Sequence, residues 1–526
     1  MGIKSAKDGS APSTPSSEAD AGWESLAQLL TIRCSQRPDA VAAYDPDGRV
    51  ATWSTLAGEA RGVSTQLKHH GVHPGRRVGV LLPNHSRFAS ALFGAWGAGA
   101  IAVVISALNS PAETEQLCRA ADVQALITQP GQEDLIEGLP TVVPGDIRSD
   151  PSGSEAFAPE HRPLDALVVF TSGTTGTPKG IVHGGGAIVR SLQAMALSSG
   201  LEGIAPRSLG SEDRSPNLAL TPLSHMSGLL GVLFTWWAGK PIAIMERFSP
   251  EQVDEAVRRY SIRTLRLVPT MVYDLVRSSA RVHLPGVSYA TVGTAALSPA
   301  LAARFEERFG FPILANYGQS EALGGVSAEG LADIRAGRRP PGSVGRPLPG
   351  VSVHIVDPHT GRDVPGGDIG EIAVKSAQVM KSYVSGDHVP LDDRGLLRTG
   401  DLGRLDGNGI LSVVGRSKSL IVCGGFNVYP GEVEAVIGEA PGIEDVAVVG
   451  ISDERLGEVP VAVVVAGLGG FDPSALDTRA RETLAPYKRP RAYLAVTAIP
   501  KTASGKTDLV ALGELLGQRS GELERI

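Results

Sequence analysis

Residues 167–183 read LVVFTSGTTGTPKGIVH. Four apolar residues, Leu167 to Phe170, open into ten residues of Thr, Ser, Gly, Pro and Lys before apolar character resumes at Ile181. A short apolar run bounded by glycine and proline predicts a buried strand that ends in a loop. Glycines 173, 176 and 180 let backbone N–H groups turn toward an anion. Thr171, Ser172, Thr174 and Thr175 add hydroxyl donors, and Lys179 adds a positive charge. A helix-compatible segment follows from Gly186, so a helix N-terminus is expected to assist. The register G-T-T-G-T-P-K is not a Walker A loop, because Pro178 stands where that motif needs glycine. The loop reads as a phosphate cradle, with a polar turn after a buried strand as the alternative.

The surrounding pattern sets the fold class. From residue 40 to about 325, short apolar runs such as RVGVLLP, AIAVVIS and TLRLVP alternate with amphipathic stretches. Two of those stretches carry a start signal, Ser249-Pro250 and Ser298-Pro299, and the second stops at Gly310. Such alternation predicts an α/β fold of mostly parallel sheets flanked by helices. After residue 340 short runs separated by Gly, Asp and Asn predict antiparallel strands forming a barrel-like part. After Arg416 a strand, a helix at GEVEAVIGEA and two further strands predict a compact α+β unit. We therefore divide the chain into a tail at 1–22, a large domain at 23–416 and a small C-terminal domain at 417–526.

Composition narrows the function classes. With 526 residues the chain exceeds one hydrophobic core, and 42% hydrophobic with 20% charged residues is ordinary for a globular protein. The net charge is -7, so a basic nucleic-acid footprint is not expected. Cys34, Cys118 and Cys423 lie too far apart for a disulfide framework or metal cluster, which points to a reducing, cytoplasmic compartment. Residues 1–22 are rich in Ser, Ala and Pro without an apolar core, so a disordered tail rather than a secretory signal is expected. The run FASALFGAWGAGAIAVVIS (88–106) is broken by glycines and reads as a buried helix followed by a strand, not as a membrane span.

Three further stretches carry chemistry. ANYGQSEALG (315–324) ends a predicted strand, where Tyr317 offers a flat face to a base and Glu321 a hard oxygen to Mg²⁺. In RTGDLGRLDGNGILSVVGRSKSLI, starting at 398, Asp401 is a carboxylate in a Gly turn able to accept from two ribose hydroxyls. Arg416 ends a strand and is placed to clamp phosphate. In IPKTASGKTDL (499–509), Lys506 sits in a terminal loop. Each alone has a plain structural reading; their order along the chain is what counts.

Together these stretches resemble the adenylate-forming superfamily of acyl-CoA synthetases, luciferases and peptide-synthetase adenylation domains, from about residue 25 to 510. TSGTTGTPKG is similar to its phosphate loop, YGQSE to its adenine and magnesium motif, RTGD and GRSKSLI to its ribose and hinge motifs, and TASGK to its terminal lysine motif. The resemblance implies ATP, Mg²⁺ and coenzyme A as cofactors. Thr171, Ser172, Gly173, Thr174, Thr175 and Lys179 would hold phosphates. Gly293, Thr294 and Ala295, with Tyr317, would sandwich adenine, Asn316, Gly318 and Ser320 would also bind the cofactor, and Asp401 and Arg416 would serve the ribose and phosphate. Glu321 and Thr171 would hold Mg²⁺, Lys506 would bridge carboxylate and α-phosphate, and Lys418 would be the hinge. Gly424 and Gly425, in CGGF, would line the thiol path. Ser320 stands where Thr is commoner, and Ser419 where an acidic residue is usual.

The same resemblance implies a substrate. Met226 falls where amino-acid-activating relatives place an Asp, His225 would orient the carboxylate, and Met226, Leu229 and Leu230 imply an apolar lining. A hydrophobic monocarboxylic acid, aliphatic or aromatic, is expected, activated to its adenylate with loss of pyrophosphate and passed to CoA, as in fatty-acid metabolism. The alternatives are an amide bond synthetase or carrier-protein loader, and a non-catalytic nucleotide-binding scaffold. Neither nucleic acid nor a membrane span is expected, and the oligomeric state is expected to be monomer or homodimer.

Overall fold

The computed structural model describes residues 27–144, 165–171, 179–199, 215–387, 389–424, 426–467, 470, 472–502, 507–519 and 524–525. The expected tail, the loop residues Ser172, Gly173, Thr174 and Thr175, and Gly425 and Lys506 lie outside the described residues.

Among the described residues the strands form five sheets. The first is built on β1 (Arg77–Val80), β2 (Ile101–Val104) and β3 (Val123–Ile127), which run parallel. β4 (Asp165–Thr171) joins parallel to β2, and β5 (Lys179–Gly184) folds back antiparallel on β4. Every residue of β2 is buried, as expected of a strand covered on both faces. Helices α1 (Trp53–His69) and α2 (Ser86–Gly97) and the helix that follows β5, α3 (Gly185–Ser198), pack into the core of this sheet. The apolar run at 88–106 is indeed helix α2 followed by strand β2, and no helix among the described residues is long and apolar enough to cross a membrane.

A second sheet pairs Asn217–Ala219 parallel with Ile242–Ile244 across α4 (Met226–Trp237). The third has a parallel core of β6 (Thr264–Leu267), β7 (Tyr289–Val292) and β8 (Ile313–Tyr317). Its flanking helices start as the sequence predicts. Ser249 accepts from the Gln252 N–H ahead of α5 (Pro250–Tyr260), and Ser298 accepts from the Leu301 N–H ahead of α6 (Pro299–Phe309). Gly310 closes α6 at φ 74°, the left-handed region that favours glycine. Leu265, Leu267, Ala290, Val292 and Ile313 bury one face of this sheet in a shared core; Thr264, Arg266, Tyr289 and Thr291 alternate onto the other.

The fourth sheet is antiparallel, with β9 (Val351–Val356), β10 (Gly370–Ser376), β11 (Leu397–Leu405) and β12 (Leu411–Arg416) in that order. The small C-terminal part has its own sheet, in which β13 (Ile443–Asp453) and β14 (Gly457–Ala466) form the long ladder and β15 (Ala492–Val496) pairs parallel to β14. Helix α7 (Pro430–Gly438) buries Val433 and Ile437 against it.

Two expectations are corrected. The phosphate loop does not lead into a helix: it joins β4 to β5 as a hairpin connection, and α3 starts only at Gly185. Ile181, Val182 and His183 are buried between β4 and the edge pair Ser382–Tyr383, so the chain extends before it coils. Asp401 is not in a turn either; it lies within β11, directly opposite Arg416 of β12.

Candidate active site

The C-terminal ends of β6, β7 and β8 converge, the place where open parallel sheets hold ligands. β7 continues into Gly293, Thr294 and Ala295. A side chain at 293 is impossible without rearrangement, because an added Cβ would lie 2.1 Å from the Asn316 side-chain oxygen. Thr294 adopts φ 71°, an unusual conformation for a β-branched residue and a sign of a backbone shaped for a task. One strand over, β8 ends at Tyr317, whose hydroxyl donates to Asp401 at 2.7 Å. The other Asp401 oxygen takes the Arg416 Nε at 2.9 Å. Asp401 is thereby held between a phenol and a guanidinium at the rim of the pocket. Burial, and then the Asp401 charge, push the Tyr317 pKa well above the ordinary phenol range, so its hydroxyl stays a donor at every working pH.

Past Tyr317 the chain doubles back sharply. An added Cβ at Gly318 would lie 1.8 Å from the Gly324 carbonyl, so only glycine fits this closure. Ser320–Ala322 form a single 3₁₀ turn, and the Gly324 N–H donates to the Gln319 carbonyl at 2.8 Å. This turn presents Glu321. Tyr383, whose strand pairs with Ile181 of β5, is pushed up in pKa by burial and by the charges of Glu321 and Asp387. The Lys179 ammonium lies 5.3 Å from the centre of the same ring. Tyr383 thus joins the cation of the phosphate loop to the carboxylate of the second motif. Thr171 and Lys179 are register partners that close the base of that loop. One carboxylate beside a phosphate loop is a donor set suited to Mg²⁺, which binds through one or two carboxylates plus substrate phosphates.

His225 is the N-cap residue of α4 but makes no side-chain capping bond, and burial lowers its pKa, leaving the imidazole neutral at pH 7. Close behind it, a Cβ on Gly228 would meet the Pro222 carbonyl at 2.2 Å, which brings the start of α4 tight against its own loop. Met226, Leu229 and Leu230 all belong to the core, and Met226 and Leu230 also face Gly324. On the small domain Gly424 adopts φ 59° and donates to the Leu456 carbonyl at 2.7 Å. Lys418 lies in the 3₁₀ turn Ser417–Ser419 that follows β12. The ends of the terminal lysine loop are held together by a bridge between Lys501 and Thr507.

The structure therefore brings Gly293, Thr294, Ala295, Asn316, Tyr317 and Gly318 of the third sheet together with Asp401 and Arg416 of the fourth through the Tyr317–Asp401 hydrogen bond, with Glu321 and Lys179 meeting around Tyr383. Sequence reading passed over Tyr383 and the buried His183, because both owe their place to strand pairing across about 200 residues. Asp45, Asp47 and His85, which also cluster, lie elsewhere. Asp45 is engaged by the Ser86 N–H at 2.7 Å and the Ser86 hydroxyl at 2.7 Å, a cap for α2.

Comparison with known proteins identifies the family. The family described as AMP-binding enzyme matches residues 30–384, and that described as AMP-binding enzyme C-terminal domain matches 432–506. The chain is 29% identical over 511 residues to a sulfoacetate–CoA ligase of Cupriavidus necator, covering 93% of this chain and 97% of that one. It is 30% identical over 488 residues to a feruloyl-CoA synthase of Amycolatopsis, covering 90% and 95%. The solved amide bond synthetase McbA of Marinactinospora thermotolerans superposes with a TM-score of 0.83 at 30% identity, covering 95% of this chain and 99% of that one. The chain belongs to the AMP-binding enzyme family, as an ATP-dependent, AMP-forming acid–CoA ligase.

Proposed function

We propose that this enzyme activates a carboxylic acid with a mainly apolar body and transfers the acyl group to the thiol of CoA. The observation that carries the reading is that Tyr317, Asp401 and Arg416 meet across two sheets, with the Glu321–Tyr383–Lys179 group beginning four residues past Tyr317. Adenine lies between Gly293–Ala295 and Tyr317, the ribose hydroxyls donate to Asp401, and the triphosphate rests in the 171–179 loop. Glu321 with Thr171 would hold Mg²⁺, which would supply neutralisation of the triphosphate charge. The substrate carboxylate, oriented by the neutral His225 imidazole, attacks the α-phosphorus. The bond to pyrophosphate breaks, and Lys506 offsets the charge that develops. No protein nucleophile is used; positioning and electrostatics carry the step.

The second half-reaction needs the lysine to leave. The small domain, 417–526, pivots at Lys418, and the thiol passes Gly424 and Gly425 to attack the acyl carbonyl and release AMP. Met226 and Leu230 support an acid with apolar surface. The amide-forming reading is favoured by one observation, the likeness to an amide bond synthetase over 95% of the chain. Offering CoA and then amines to the adenylated enzyme separates the two. Lys506→Ala tests the lysine: acid-dependent ATP–pyrophosphate exchange should fall by about 10²-fold or more, whereas thiolysis of a synthetic acyl-adenylate should persist. Equal loss of both would sink the alternation.

A further inference from the structure

Helix α4 is buried on all sides except along one stripe. Ser227, Gly231 and Phe234, spaced four and three apart, retain accessible surface while every other residue from Met226 to Trp237 is buried. The stripe starts beside His225 and runs away from the reacting end. Facing it is the second side of the β6–β7 sheet. Arg266, one residue from the end of β6, stands on that side, and its Nη1 lies 3.2 Å from where a Gly231 Cβ would be. A glycine at 231 leaves room for the guanidinium.

Arg266 is an unusual cation. It sits deep enough that burial lowers its pKa, an effect only partly opposed by neighbouring Tyr289. It nevertheless keeps some accessible surface, beside the partly exposed stripe of α4. Among the described residues it makes no hydrogen bond and no ion pair, and its register neighbour Thr291 donates instead to the Leu265 carbonyl. A desolvated guanidinium without a counter-charge is costly, and proteins keep one where a ligand completes it. The planar fork of arginine matches carboxylate and sulfonate oxygens two at a time.

The geometry points to a second anion subsite at the far end of the acid pocket: Arg266 receives a distal carboxylate or sulfonate of a substrate whose other carboxylate is activated. The inference rests on the proposed ligase reading and sharpens its substrate class to an acid with an apolar middle and an anion at each end. Five residue steps of helix α4, a rise of about 7.5 Å along its axis, lead from Met226 to Gly231 and so to Arg266.

The test uses the full chain and matched acids: straight-chain dicarboxylates and ω-sulfonated acids against monocarboxylates of equal length, and benzenedicarboxylates against benzoates. Acid binding is read by the ligand-induced rise in Tm, and activation by pyrophosphate release. Dianionic acids should raise Tm more than their monoanionic partners and be preferred by about tenfold or more in kcat/KM. Arg266→Met should abolish the difference. The ligand-free variant should unfold at the same temperature or higher, because an unpaired buried charge is gone. The carboxylate and sulfonate arms show which anion fits better. Preference for monoanions in the wild type, or an unchanged preference in Arg266→Met, would overturn the subsite. If dianions shift Tm through Arg266 but no acid releases pyrophosphate, the subsite stands and the ligase reading fails.

Discussion

His183 shows how much a single buried polar residue can add at the residue scale. It is fully buried in β5, and among the described residues neither ring nitrogen completes a hydrogen bond of good geometry, the Ser320 backbone being only a marginal partner. Burial pulls its pKa from 6.5 to about 4, with the Ser320 backbone opposing a little of the shift. The sign follows from proton linkage. The unfolded chain takes up the proton near pH 6.5 and the native state only near pH 4, so stability is intact above that window and falls as pH drops through it, by about 3 kcal/mol in all. His183→Leu fills a similar volume without polar atoms. We expect it to be as stable as the wild type at pH 7, or more so, and to lose less stability between pH 7 and pH 4.5 in denaturant titrations. Identical pH slopes for the two proteins would refute this. Nothing in KGIVHGGG announces the burial, since it is imposed from outside by β4 and by Ser382–Tyr383. Asp401 stands out in the sequence beside a glycine; its grip between Tyr317 and Arg416 does not, because 84 residues separate it from the tyrosine.

Among the elements, the strands and helices that frame the site were legible where local signals agree with tertiary context. α5 and α6 begin at Ser-Pro pairs, α6 ends at Gly310 as expected, and β8 ends at Tyr317. The misread element was the segment after the phosphate loop, where a glycine run at 184–186 hid a preceding strand. The loop after β8 depends on one glycine more than on any side chain. A methyl on Gly318 must displace the Gly324 carbonyl, backbone that cannot rotate aside, and overpacking of that kind costs about 1–3 kcal/mol. Because the same turn positions Tyr317 and Glu321, Gly318→Ala should weaken ATP binding by about tenfold or more as well as lower Tm. Gly407→Ala is the control, since its Cβ would meet nothing within 4 Å. Nucleotide titrations and thermal unfolding of both variants check this. A Gly318→Ala protein that binds ATP like the control would show that the turn yields freely.

For the molecule as a whole, a large domain followed by a small one was legible from the change in texture along the sequence, but not how they touch, because a rigid-body contact leaves no trace in local periodicity. One contact is specific: Arg277, the last residue of the helix Pro269–Arg277, pairs with Glu444 of β13. Arg277 is 47% exposed and Glu444 14%, so the pair is half-solvated and worth at most about 1 kcal/mol. That is too little to hold the fold together and enough to bias a balance between two domain arrangements. If the small domain pivots between half-reactions, this ion pair belongs to one arrangement and not the other. Arg277→Glu places two carboxylates face to face and disfavours the arrangement that contains the pair. One half-reaction should then slow by up to about fivefold while the other is spared or gains. The double variant Arg277→Glu with Glu444→Arg restores the attraction with reversed polarity, and so should restore the balance. ATP–pyrophosphate exchange and thiolysis of synthetic acyl-adenylate, measured on all three proteins at low salt, separate the two half-reactions. Raising the ionic strength should shrink the difference, as screening demands. Parallel loss in both half-reactions, unrescued by the charge swap, would mean that the contact is structural and that the small domain does not use it to choose between arrangements.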